Sequence, residues 1–219
     1  YWRVMTTKKN CENEYSSVRR FEITNSGAGA VEPGYEIICD AAEYSPVGTH
    51  GIRNLWVRSV KPEYNNMTFR NNGSLNRSFV VIDNVIYVSG REDNASGAAC
   101  YLDKYDALTG AYIGRLDLDA AVQGSYYPCN TVMKDDAGNL LVSNLTLNIA
   151  STPLRVHQID KETGEATLRA ECLSSHVSSG RVDHCAVHGD VESGDFFVLV
   201  GVASGTQALK WYYEGGEQT

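Results

Sequence analysis

Long apolar runs are missing from this chain. No stretch of 18 hydrophobic residues occurs in its 219 positions, so no segment is expected to cross a membrane as a helix. Cations are scarce as well. Lys and Arg total 19 against 27 Asp and Glu, a net charge of −8. That balance argues against nucleic acid or an anionic membrane surface as partner, since both need clustered cations. No CxxC pair occurs among the six cysteines, which excludes zinc ribbons and thioredoxin-type redox motifs. The nucleophile elbow GxSxG, the phosphate-binding GxxxxGK[ST] loop and a GxGxxG before a helix are all absent. No stretch of twelve residues sustains a 3.6-residue apolar period, so helices are not expected. The sequence names no cofactor and no chemistry.

What is present describes an ordinary globular chain. Hydrophobic residues make up 42% and charged residues 21%, enough to bury about 70% of the unfolded surface in one large domain or two small ones. Tyr1 opens the chain without the charged, apolar and small-residue regions of a secretory signal, which reads as a mature product or a trimmed fragment. Cys11, Cys39, Cys100, Cys129, Cys172 and Cys185 are widely scattered. They read as small buried hydrophobes or as partners in any of fifteen disulfide pairings. Glycosylation sequons begin at Asn66, Asn72, Asn76, Asn94 and Asn144.

Internal repeats dominate the organisation. Asp106-Ala-Leu-Thr-Gly110 and Asp160-Lys-Glu-Thr-Gly164 lie 54 residues apart, each followed by an alternating stretch. Upstream, Phe79 to Ser89 parallels Thr131 to Ser143, both reading as strand, tight Asp/Asn turn, strand. A looser third copy runs from His184 to Val200, with Gln207 to Tyr213 in the place of a third strand and the chain ending just beyond it. Four short antiparallel strands recurring every 50-odd residues are the pattern of β-propeller blades. One such sheet cannot bury both faces alone, and stacking blades around an axis covers them. The expected fold is therefore all-β, with blades at approximately 76–125, 126–178 and 179–219 within a 61–219 repeat region. Residues 1–60 are expected to form a degenerate blade or a small β-unit, with strands at Tyr1–Thr6, Val18–Thr24 and Tyr35–Cys39 and an outer strand at His50–Ser59. The segment Pro62–Asn76 reads as polar and exposed. About 53 residues per blade allows roughly four blades, so the chain is an incomplete ring or a four-bladed closure.

Leu55-Trp-Val-Arg-Ser59, Asn76-Arg-Ser-Phe-Val-Val-Ile82, Asp106–Gly110, Gly138-Asn-Leu-Leu-Val-Ser-Asn-Leu-Thr146 and Ser151-Thr-Pro-Leu-Arg-Val156 carry a resemblance across about half of the chain. Over 55–169 it resembles secreted β-propeller proteins of Bacteroidetes-type bacteria, known mostly as domains of unknown function. The resemblance implies bacterial export to the periplasm, outer-membrane surface or extracellular space, often as a lipoprotein. Tyr1 is not the lipid-carrying cysteine of those proteins, so anchoring stays open.

Candidate site residues follow from the repeat. Aligned on their hairpins, Ser78, Asn130 and His184 become equivalent near the starts of the innermost strands, with Arg77, Cys129 and Asp183 as neighbours. Propellers commonly bind ligands at such a mouth, each blade contributing one side chain. Alternatively these polar groups simply hydrogen-bond exposed backbone at strand starts. Tyr127, in an expected loop with Tyr126, offers an aromatic face. Packing between blades accounts for most other aromatics, with Trp211 and Tyr213 on one side of a strand and Tyr212 on the other. His184 and His188 suggest a zinc site only on a helix. On a strand they stand roughly 13 Å apart, too far for one metal. Asp135-Asp136 reads as turn chemistry rather than a catalytic pair.

The function expected is a non-catalytic exported scaffold or binding module whose mouth takes a glycan, a peptide or a partner subunit. The alternative is a propeller-type lyase or hydrolase, to which only Asp183, His184 and Tyr127 could contribute.

Overall fold

The computed structural model describes residues 5–6, 14–15, 56 and 75–219, the last span without 94, 96, 124, 126, 177–179 and 204–206. The chain divides into two compact units, Tyr1–Val57 and Arg58–Thr219. In the first, β1 (Met5–Thr6) pairs antiparallel with β2 (Glu14–Tyr15). The expectations for 18–24, 26–30, 35–39 and 62–74, and for 50–59 apart from Trp56, lie outside the described residues.

The second unit holds three four-stranded antiparallel sheets, each built from consecutive strands. Sheet 1 contains β3 (Phe79–Ile82), β4 (Val85–Arg91), β5 (Cys100–Asp106) and β6 (Tyr112–Asp117). Sheet 2 contains β7 (Tyr127–Lys134), β8 (Leu140–Leu145), β9 (Leu154–Ile159) and β10 (Ala166–Cys172). Sheet 3 contains β11 (Cys185–Asp190), β12 (Asp195–Gly201), β13 (Ala208–Glu214) and β14 (Glu217–Gln218). A 3₁₀ turn at Ala120–Val122, capped by the Asp119 side chain, is the one helical element among the described residues. The chain is all-β and repeats a four-stranded unit.

Local chemistry explains the turns. Asp83 (φ 49°) and Asn84 (φ 62°) both take the left-handed conformation of a two-residue hairpin, which Asp and Asn tolerate better than other side chains. In the two Asp-x-x-Thr-Gly turns the carboxylate does the folding. Asp106 Oδ1 accepts from the backbone N–H of Leu108 and Thr109 and from Thr109 Oγ1 at 2.7–3.0 Å. Asp160 Oδ1 repeats this with Glu162 and Thr163 N–H at 2.9 and 2.7 Å. The Thr109 and Thr163 hydrogen bonds hold both carboxyls below their ordinary range.

Two expectations need correction. The third sheet does not stop at its third strand. Gly215 (φ 58°) and Gly216 (φ 86°) reverse the chain, and β14 pairs back onto β13. A tight turn between two exposed glycines reads from sequence as a tail. Tyr127, expected in a loop, is the first residue of β7. The β7–β8 register shifts between Tyr127 and Thr131, a bulge that accommodates Pro128, whose nitrogen has no hydrogen to donate.

Packing shows why the sheets lie together. Every residue of β8 is buried. Leu140 and Val142 join a cluster with Ile82, Tyr87, Leu102 and Leu116 of sheet 1. Leu141, between them, joins a second cluster with Val187, Val198, Trp211 and Tyr213 of sheet 3. Strict alternation thus turns sheet 2 into the filling between its two neighbours. Trp211 and Tyr213 face this core while Tyr212 faces solvent. Cys100, Cys129, Cys172 and Cys185 are free thiols. Burial raises Cys172 to about 11 and Cys185 to about 12. A hydrogen bond with Cys100, together with burial, pushes Cys129 well up.

Candidate functional site

The approaches to β3 and β11 are anchored by hydrogen bonds to the backbone. In sheet 1, buried Ser89 Oγ accepts from the N–H of Arg77 and Ser78 at 3.3 and 3.1 Å and donates to Ser78 O. Asn76 Nδ2 donates to Ser89 O at 2.8 Å. In sheet 3, residues 181–184 are tied to sheet 2 by the Thr146–Val182 bridge, with N–H···O distances of 3.1 and 2.9 Å. Arg77 and Asp183 are therefore held by their neighbours before any side chain meets another.

Contacts between sheets repeat at the period of the sequence. Ser78 Oγ donates to Val132 O at 3.2 Å and accepts from Val132 N–H at 3.0 Å, 54 residues on. Asn130 Nδ2 donates to Asp183 O, 53 residues on. Thr131 Oγ1 donates to the same oxygen at 3.3 Å and shares a hydrogen bond of 2.9 Å with His184 Nδ1. Ser78 and Asn130 thus interlock successive sheets through backbone groups. Asn130 is fully buried, and its Oδ1 has no hydrogen-bond partner among the described residues. Counted from the hairpin ends at Ile82, Lys134 and Asp190, Ser78 and Asn130 stand four residues back and His184 six. His184 is thereby carried outward to the exposed rim.

The remaining expected residues converge around one aromatic ring. The Arg77 and Arg91 guanidinium groups lie over Tyr127 with their central carbons 4.8 and 3.9 Å from its centroid. Arg181 grips Asp183 through Nε at 3.0 Å to each carboxylate oxygen and Nη2 at 2.6 Å to Oδ1. Arg77 Nη2 lies 3.9 Å from the same Oδ1. Arg77, Ser78, Tyr127, Asn130, Asp183 and His184 thus belong to one neighbourhood, where Cys129 is buried. The Asp183 carboxylate there faces the Arg181 and Arg77 guanidinium groups.

Arg91, Arg181 and Thr131 belong to this neighbourhood but were not singled out from the sequence. Arg91 could have been found from the hairpin, because pairing Phe79 with Val88 brings the end of β4 beside Arg77. Arg181 could have been found too, because it stands two residues before Asp183 and extended chain puts i and i+2 on one face, whereas Thr131 carries no local signal.

Other candidates resolve into structural roles. His188 Nδ1 lies 2.6 Å from Asp136 Oδ2, while His184 turns to Thr131, so the two histidines serve separate contacts. Asp135 is buried. Its carboxylate accepts from Asn139 N–H at 2.8 Å and from Val191 N–H of sheet 3 at 3.0 Å. Asp136 Oδ2 accepts from Gly189 N–H at 2.8 Å. The pair closes a turn and also clamps sheet 2 to sheet 3. An open cavity of about 560 Å³ lies on sheet 3 along His188, Phe197 and Tyr212, which stand opposite one another on β11, β12 and β13. Lys210 Nζ covers that row, 3.5 Å from the Phe197 centroid and 4.4 Å from that of Tyr212. Among the described residues no helix is long and apolar enough to cross a membrane. No protein-family model, curated protein or solved structure matches this chain.

Proposed function

We propose that this chain is a non-catalytic, exported binding module whose three sheets are successive blades of a β-propeller, with a ligand site at the mouth formed by the first strands. The observation that carries this reading is the meeting of Arg77, Tyr127, Asp183 and His184 beside the interlocked starts of β3, β7 and β11. A ring of first strands around an axis accounts for hydrogen bonds that recur 53 and 54 residues apart between neighbouring sheets. The outer faces agree with blades that expect neighbours. Phe79 and Val81 of sheet 1 are 67% and 42% exposed, and Leu199 and Tyr212 of sheet 3 are 40% and 51% exposed.

Binding suits the mouth better than catalysis. The Asp183 carboxylate, the acid that a hydrolase or lyase mechanism would need, is already gripped by Arg181. The Tyr127 ring is covered by two guanidinium groups. The test is a ligand screen on the isotopically labelled chain, following backbone amide shifts. Glycan or peptide ligands are expected to move the amides of Arg77, Asn130, Asp183 and His184 together. Ligands that move only residues elsewhere overturn the mouth as the site. Product release from a glycan that disappears in His184→Ala overturns the non-catalytic reading.

A further inference from the structure

We propose that the mouth takes a small ligand through a single carboxylate seated on Arg77, an inference that rests on the reading of the mouth as a binding site. Arg77 is the cation there that remains chemically open. Among the described residues its guanidinium makes no hydrogen bond, and its one ion pair is the 3.9 Å contact with Asp183, beyond hydrogen-bonding distance. A guanidinium carries five N–H donors in a planar fork. This one is held in place by the Tyr127 ring beneath it and by the Ser89 anchor on its backbone. Its side chain is 25% exposed, so it is shielded from bulk water yet reachable.

The two other arginines do different work. Arg181 is engaged edge-on by Asp183. Arg91 is buried against the Tyr127 ring, out of reach of solvent. An anion arriving at Arg77 therefore meets one oriented, unfilled fork.

Charge and shape select the anion. A carboxylate matches the guanidinium fork with two parallel N–H···O bonds. A doubly charged phosphoryl group doubles its attraction to Arg77 but also its repulsion from Asp183, 3.9 Å from that guanidinium, so its second charge gains little. A polyanion is disfavoured by the net charge of −8 around the site. One carboxylate on a small molecule satisfies all three conditions.

The experiment titrates the whole labelled chain with glucuronate and N-acetylglycine, two carboxylates of sugar and peptide-terminus type. Glucose, N-acetylglycinamide and inorganic phosphate serve as matched probes. At least one carboxylate is expected to shift the Arg77 Nε–Hε signal and the Asp183 and His184 amides, and the tighter of the two identifies the source. Arg77→Gln should weaken that binding about tenfold, and Arg77→Lys should weaken it by several-fold through loss of the fork. Asp183→Asn removes the competing carboxylate and should tighten it several-fold, an effect that no loss of folding can imitate. Glucose or the amide shifting the mouth as strongly overturns the carboxylate and leaves the mouth reading intact. Phosphate binding as tightly, or Arg77→Gln binding unchanged with an unaltered melting temperature, also overturns it. If no probe moves the mouth while shifts appear elsewhere, both readings fall.

Discussion

His157 carries a pH dependence that its position on β9 makes unavoidable. The side chain is buried, and burial first, then the neighbouring Arg155 charge, hold its imidazole below the ordinary value of 6.5. Protonation is therefore less favourable in the folded chain than in the unfolded one. Stability from this group is present above about pH 6.5 and is lost as the pH falls through the depressed folded value. Denaturant unfolding at pH 8 and pH 5 should show lower stability at the acid end, and His157→Gln should flatten that slope. An unchanged slope would mean that the imidazole gains a counter-charge on protonation. The raised thiols of Cys172 and Cys185 act in the opposite direction. They favour the folded chain below the ordinary thiol value of 9.0, and that preference is lost as the pH climbs through about 11 to 12.

At the scale of the element, turns separate intrinsic strain from packing. Gly138 (φ 88°) and Gly164 (φ 79°) both occupy the left-handed region, in the β7–β8 and β9–β10 connections. A methyl group at Gly138 meets nothing within 4 Å, whereas one at Gly164 would lie 2.0 Å from the Asp117 carbonyl oxygen of sheet 1. Gly138→Ala should therefore cost about 1 kcal/mol, the price of a side chain in that conformation. Gly164→Ala should cost about 2 kcal/mol more, because β6 must retreat and the Asp119 N–H to Gly164 O bond of 3.1 Å goes with it. Urea unfolding of both variants checks the difference, and equal losses would show that the sheet 1 contact yields freely. These same turns mark what could be read from sequence. Asp83-Asn84 and the two Asp-x-x-Thr-Gly segments encode their geometry in adjacent residues, so the hairpins and the repeat were legible. The Gly215-Gly216 reversal was not, because β14 after it has only two residues and no apolar alternation. In the site, Arg77, Asp183 and His184 followed from the repeat, and Arg181 stands two residues before Asp183, but Thr131 reaches the site through a contact between sheets, which no local pattern encodes.

For the repeat region as a whole, sheet 2 is the element that makes three sheets one structure. Each outer sheet buries one apolar face against it, and β8 serves both, with Leu140 and Leu141 buried at 1% and 0% on opposite sides. Leu140→Ala opens a cavity toward sheet 1 and Leu141→Ala opens one toward sheet 3, each expected to cost about 2–5 kcal/mol. Because both faces belong to one strand, neither loss can stay local. Hydrogen exchange should report this directly. In each variant the slowest amides of β4, β8 and β12 should lose protection together and by similar factors. Leu199→Ala, on the outer face of sheet 3 and 40% exposed, should leave them within about 0.5 kcal/mol of the parent. If Leu140→Ala instead loosened β4 and left β12 protected, the sheets would be independent units strung on one chain. A shared mouth would then have no rigid frame, because Arg77 and Tyr127 are held together by the packing of sheet 1 on sheet 2. Arg181 and Asp183 join them only through sheet 3, so cooperative loss of protection is the behaviour that a preformed binding site at their junction requires.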